Sequence, residues 1–215
     1  QLFSIGLEEL NADGTPLLDA QGKPIPTYGQ AEIGEFARVF TGYTYSSAAN
    51  PNGPATGKQA RYYGHPMIPY PATGTTGHDT GTKTLLNGTV LPANQTPQTD
   101  VDAAVRNVFM HPNTGPYVGK QLIQRLVTGN PSPAYVGRVA AVFADNGAGV
   151  RGDMQAVVRT ILLDPEARGP SKAAADYGSL KEPVLMATGL LRALSGVTDG
   201  SRLEGATNNL GQRPY

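Results

Sequence analysis

From residue 99 onward, apolar residues recur three and four places apart between successive helix-start signals, and this pattern leaves the second half of the chain little to become except packed helices. Thr99 and Asp102 read as capping residues of one helix with Val101, Val105, Val108 and Phe109 on its inner face. Pro112 suits the first position of the next, which runs toward Gly129 with Val118, Leu122, Ile123 and Leu126 inward. Ser132 with Pro133 starts a third helix, carrying Val136, Val139, Ala140 and Phe143, and Asp153 a fourth, carrying Val157, Val158, Ile161 and Leu162. Ser179 and Glu182 have capping-box spacing ahead of Val184, Leu185, Ala187, Leu190, Leu191 and Leu194, with Gly196 as the C-cap.

Residues 1–98 are loop-rich by contrast. Asp13-Gly14 and Gln21-Gly22 sit between short apolar runs, which reads as a small β-hairpin excursion. Asp13-Gly14 is not a calcium loop, because the further acidic ligands and the terminal Glu are missing. Thr27 and Gln30 have capping-box spacing, and Ile33, Phe36, Ala37 and Phe40 follow at helical intervals up to Gly42. From Thr44 to Pro97 the chain is rich in Gly, Pro, Thr and Asn, and so long a loop is expected to be functional or packed on itself. The expected fold is mainly α: about five to six helices, a small β-hairpin excursion and a long Gly/Pro/Thr-rich ordered loop, within one domain over 1–215. No solenoid-type repeat is expected.

Charge narrows the partners. Lys and Arg total 17 and Asp and Glu total 17, with no basic cluster, so a nucleic-acid footprint is absent. No apolar run is long enough to cross a bilayer, and no signal peptide stands at Gln1. The absence of Cys removes disulfides, thiolate nucleophiles and Cys-type zinc sites.

Several blocks carry a family resemblance: His78 to Leu86, His111 to Val127, Asn130 to Val136, Ala37 to Tyr43, and Val150-Arg151-Gly152-Asp153 through to Arg168. Together they resemble the bacterial family catalogued as domain of unknown function 1800, over nearly the whole chain. Gln1 to Gly6 resembles the end of a family helix that starts upstream, and Leu210 to Tyr215 a motif that normally continues, so the chain is expected to be an internal fragment. Members often carry Glu and His in that first helix where this chain has Gln1 and Phe3, and Trp where it has Tyr43. The resemblance, with the Gly, Pro, Thr and Asn richness, implies a periplasmic or secreted protein.

Candidate chemistry rests on few residues, since His65, His78 and His111 are the only histidines. His78-Asp79, between Gly77 and Gly81 and followed by Lys83, offers an imidazole, a carboxylate and an ammonium for acid-base work or metal ligation. The same residues also suit a purely local role, with Lys83 pairing Asp79 to pin the loop. His111, before Pro112, is placed to meet an anion or a substrate phosphate beside a helix start, or simply to cap that helix. His65 lies in a Tyr- and Pro-rich run. If His65, His78 and His111 converged with Asp79, they would form a site for zinc or another divalent ion and activate water for ester or phosphoester hydrolysis.

Other chemistries lack support. There is no Gly-x-Ser-x-Gly elbow, no G-x-G-x-x-G and no P-loop. Glu8 and Glu9 would diverge on a helix, and a first-turn dipole explains Asp100 and Asp102. The competing class is a non-catalytic envelope or secreted protein, in which Tyr43, Tyr45, Tyr62, Tyr63 and Tyr70 form a surface for a protein or polymer partner. Self-association is a third expectation, should the first half be built around a missing helix.

Overall fold

The structure, a computed structural model, describes residues 3–55, 61–70, 77–180, 182–201 and 209. Gln1 and the Leu210 to Tyr215 motif lie outside them. Among the described residues the fold is mainly α: seven helices with short antiparallel strand pairs between the first two.

The N-terminal excursion is more than a hairpin. Glu9 N–H donates to Ile25 O, Ile25 N–H to Leu17 O and Leu17 N–H to Glu9 O, at 2.7, 3.0 and 2.7 Å. Three extended segments therefore pair in a closed ring that leaves none of these amides on a free edge. The ring follows from a short repeat in the sequence: Leu10-Asn-Ala-Asp-Gly-Thr-Pro-Leu17 is followed directly by Leu18-Asp-Ala-Gln-Gly-Lys-Pro-Ile25. Gly14 and Gly22 occupy equivalent turns at φ 75° and 78°.

Helix α1 spans Gln30–Val39 and starts after Gly29, whose N–H is held by Glu32 Oε2 at 2.8 Å. Its buried residues are Phe36 and Val39, while Ile33 and Phe40 face water. Strands β1 (Tyr43–Thr44) and β4 (Ile68–Pro69) pair antiparallel, with Tyr43 opposite Pro69. Strands β2 (Ser46–Ser47) and β3 (Asn50–Pro54) form a second pair, and β5 (Lys83–Thr84) and β6 (Val90–Leu91) a third. The described parts of the Gly- and Pro-rich stretch thus pack on one another through short ladders.

Helix α2 (Pro97–Met110) is capped by Thr96, whose Oγ1 accepts Thr99 N–H. It buries Asp100 and Ala104, whereas Val105 and Phe109 are exposed. Helix α3 (Thr114–Leu126) begins two residues beyond Pro112; its buried seam is Gly115, Gly119 and Ile123, Leu122 packs partly buried against the same core, and Leu126 is exposed. The glycines explain the change of face: a Cβ on Gly119 would stand 3.0 Å from Val139 Cγ1, so α3 turns its smallest side to α4.

Helices α4 (Pro133–Ala144) and α5 (Met154–Leu163) start at Ser132 and Asp153, each accepting backbone N–H groups of its first turn. The short α6 is Pro165–Arg168. One core joins Ile123, Tyr135, Val136, Val139, Phe143, Val157, Ile161 and Ala167. A second joins Ile5, Phe36, Val39, Leu85, Leu86, Leu91 and Ala104, so it ties α1, the β5 and β6 ladder and α2 together. Helix α7 (Pro183–Ala193) follows Glu182, which pairs with Arg125; Ser179 does not cap it, and the left-handed residue after it is Ser195, not Gly196.

Candidate functional site

The end of α1 builds one side of a polar node. Thr41 Oγ1 donates to Arg38 O at 2.6 Å, and the next residue, Gly42, turns the chain at φ 73°. That turn lies directly on the backbone of His78: a Cβ on Gly42 would sit 2.7 Å from His78 Cα. Asp79 N–H then donates to Thr41 Oγ1 at 2.9 Å, which fixes the two segments in register.

The Asp79 carboxylate grips Arg38 with two parallel bonds, Nε to Oδ2 at 2.8 Å and Nη2 to Oδ1 at 3.0 Å. Gly81 N–H adds a third at 2.8 Å. These donors, Arg38 first, hold the Asp79 carboxyl well below the usual carboxylate range. Arg38 is raised in turn, by its bonds to Asp79 and then Glu35. Glu35 Oε2 also takes Thr84 N–H at 2.9 Å, so α1 is bonded to β5 through a side chain.

His78 and Lys83 meet at Asp100. His78 Nε2 is 2.9 Å and Lys83 Nζ 2.7 Å from the same oxygen, Oδ2, and the three side chains are 6%, 1% and 0% exposed. Lys83 also donates to Asp79 O at 2.5 Å and Gly81 O at 3.0 Å, so its three hydrogens are all engaged. His78 Nδ1 faces Thr41 O at 3.0 Å, and the only Thr41 hydroxyl hydrogen is already given to Arg38 O. Both ring nitrogens are thus engaged, Nε2 on Asp100 and Nδ1 on Thr41 O. Neither His78 nor Lys83 keeps a free position for a substrate.

Two polar atoms beside this node are buried without a partner, Asp100 Oδ1 and the Tyr43 hydroxyl. Burial pushes the Tyr43 phenol up, and the charges of Asp102 and Asp100 push it further.

The other two histidines stand apart. His111 is the C-cap of α2, not a group at the start of α3, and lies eleven residues beyond Asp100, about 16 Å along the helix. It is 1% exposed and its Nδ1 accepts Asn113 N–H at 3.1 Å; burial lowers its pKa. His65 Nδ1 is 3.2 Å from Ser46 Oγ, and its ring stacks edge-on against Tyr62 at 4.4 Å between centroids. Among the described residues no three His, Asp or Glu side chains are grouped to hold a metal ion. His65, His78, Asp79 and His111 thus do not fit a shared zinc site.

Structural roles missed in the sequence belong to Asp100 and Asn113. Asp100 looked like a first-turn acid, yet it is the counter-ion of the node. Asn113, fully buried, accepts Leu10 N–H at 2.9 Å and donates to Ile5 O at 2.9 Å and Glu8 O at 2.7 Å, anchoring the N-terminal ring to the start of α3. A polar Asn directly before a helix was the available signal.

Aromatic side chains gather on the outer face of the Tyr-rich stretch. Tyr45 and Tyr63 meet edge to face at 4.9 Å, Arg61 lies over the Tyr45 ring at 5.9 Å, and Tyr63 is 74% exposed.

No curated protein and no solved structure matches this chain. The family model described as "Protein of unknown function (DUF1800)" matches residues 1–215, which bears out the resemblance of the sequence blocks. With that match over its whole length, the chain belongs to the DUF1800 family.

Proposed function

We propose that this chain works by binding, and that its working surface is the Tyr-rich segment between Tyr43 and Tyr70, which takes a protein partner. The observation that carries this reading is the exposed group Arg61, Tyr62, Tyr63, Met67 and Tyr70. Tyr, Met and Arg are the residue types enriched where proteins meet, because they cover much area at little entropic cost and add a polar tip. Between Tyr43 and Tyr70 there is no Asp or Glu, so the partner's complementary rim is acidic. Both proteins would then work in the periplasm or outside the cell, a reading that the family's resemblance to exported proteins favours.

Metal-assisted ester or phosphoester hydrolysis finds no support in this arrangement, since the groups it would use are spent on one another. A photoreactive side chain at Tyr63 tests the binding reading in an envelope extract, with exposed Leu162 on α5 as the control site. One discrete adduct from position 63, competed by unlabelled chain and lost with Arg61→Ala, is expected. Equal adducts from both sites would count against it. Near-stoichiometric zinc in dialysed protein, lost with His78→Ala, would return the argument to hydrolysis.

A further inference from the structure

Ala103, Arg106, Asn107 and Met110 stand three, four and seven places along α2 and so form one stripe of that helix. The 3-10 turn Leu86–Gly88 is fastened over the stripe by Asn107, whose Nδ2 donates to Leu86 O at 3.2 Å and to Thr89 Oγ1 at 3.0 Å. Between turn and helix is an open-sided cavity of about 350 Å³, which His111 also lines.

Its chemistry is asymmetric. Arg106 pairs with no carboxylate among the described residues, so one fixed cation stands at the cavity without a counter-charge. His111 Nδ1 is taken by Asn113 N–H, which leaves the ring hydrogen on Nε2, and that nitrogen has no acceptor among the described residues. Burial keeps the ring neutral near pH 7, so it adds a donor and not a second positive charge. Ala103 and Met110 supply apolar wall.

We propose that this cavity binds a short aliphatic monocarboxylate, with its charge on Arg106, one oxygen taking the His111 Nε2 hydrogen, and its hydrocarbon against Ala103 and Met110. One cation matches one negative charge, where a phosphate dianion would keep an uncompensated one. At roughly 30 Å³ for each water-sized group the cavity has room for about twelve such groups, so an acid of about four to six carbons fits with space left for water. The site is separate from the Tyr-rich surface and does not depend on it.

Butyrate is the probe, with butyramide as its uncharged counterpart, each titrated while the His111 ring resonances are followed by NMR. Butyrate should give a saturable shift, butyramide none, and Arg106→Gln should weaken butyrate about tenfold or more. Arg106 is exposed, so its replacement leaves the fold intact. No saturable shift with butyrate, an equal response to butyramide, or unchanged affinity in the Arg106 variant would each overturn the assignment.

Discussion

Lys83 Nζ lies 2.7 Å from Asp100 Oδ2 with both side chains almost completely closed to water. The two residues come from β5 and the first turn of α2, and His78 shares the same oxygen from the segment before β5. Through Asp79 and Arg38 the bonding continues to α1. Two cations, Arg38 and Lys83, and the His78 ring face three carboxylates, Glu35, Asp79 and Asp100. Arg38, Glu35 and Asp79 stay partly open to water, whereas Lys83 and Asp100 are desolvated, and a pair so buried fixes which segments meet more than it adds net stability.

Removing Asp100 therefore costs more than the pair contributes. Asp100→Ala leaves Lys83 buried without its counter-ion and should destabilise the fold by about 3–5 kcal/mol. Lys83→Met combined with Asp100→Leu should cost clearly less than the sum of the single changes, as urea denaturation can measure. Strict additivity would show that the two charges do not depend on each other.

Gly42 and Gly88 both hold left-handed backbone, at φ 73° and 66°, yet only Gly42 is pressed against other atoms. Gly88→Ala should therefore cost only backbone strain, about 1 kcal/mol. Gly42→Ala adds a collision with the His78 backbone, which cannot rotate away as a side chain does, and should be the more damaging by thermal melting. Equal melting temperatures would contradict the close approach.

The difference between what could and could not be read from the sequence follows the range of each interaction. Ser132 and Asp153 announced α4 and α5 because a cap bonds its own first turn. Lys83 beside Asp79 was legible as a loop pin for the same reason, at 4.0 Å. Asp100 was misjudged because its partners, Lys83 and His78, are 17 and 22 positions away and only the fold delivers them. The face of α3 was read only in part, through Leu122 and Ile123, because Gly115 and Gly119 carry no hydrophobic signal although their smallness is what admits α4. The Leu10 to Ile25 repeat was visible throughout, but two copies are fewer than the three or more that a stacked solenoid needs.

His111 supplies a pH dependence with a definite sign. Its folded pKa is depressed, by burial first, with Glu9 opposing, so the folded chain binds its proton less readily than the unfolded one. Stability is then complete above the unfolded value near 6.5 and falls as pH drops below it, by at most about 1.4 kcal/mol for each pH unit. His111→Gln should remove that slope, so that wild type and variant converge in melting temperature between pH 7.5 and 5. A wild-type advantage constant over that interval would exclude His111 as the source.

Asn113 distinguishes hydrogen bonding from mere filling of space. Its Oδ1 accepts one backbone N–H and its Nδ2 donates to two carbonyls, so the amide fits its surroundings in one orientation only. Asn113→Ala strips partners from Leu10, Ile5 and Glu8 and should cost about 2–4 kcal/mol, since the buried Ile5 carbonyl left unmade is worth about 1–3 while the less buried Leu10 and Glu8 groups can turn partly to water. Asn113→Asp keeps the shape but turns the donor into an oxygen facing the Ile5 and Glu8 carbonyls, and near neutral pH it buries a charge. It should be worse than Ala at pH 7 and recover part of the loss in acid, where the protonated carboxyl regains one donor. Amide exchange at Leu10 would report the same order residue by residue, because its N–H is the one Asn113 protects. If Asp were tolerated as well as Asn at pH 7, the N-terminal segment would be held by packing, as against Tyr117 and Val136, and not by the Asn113 amide.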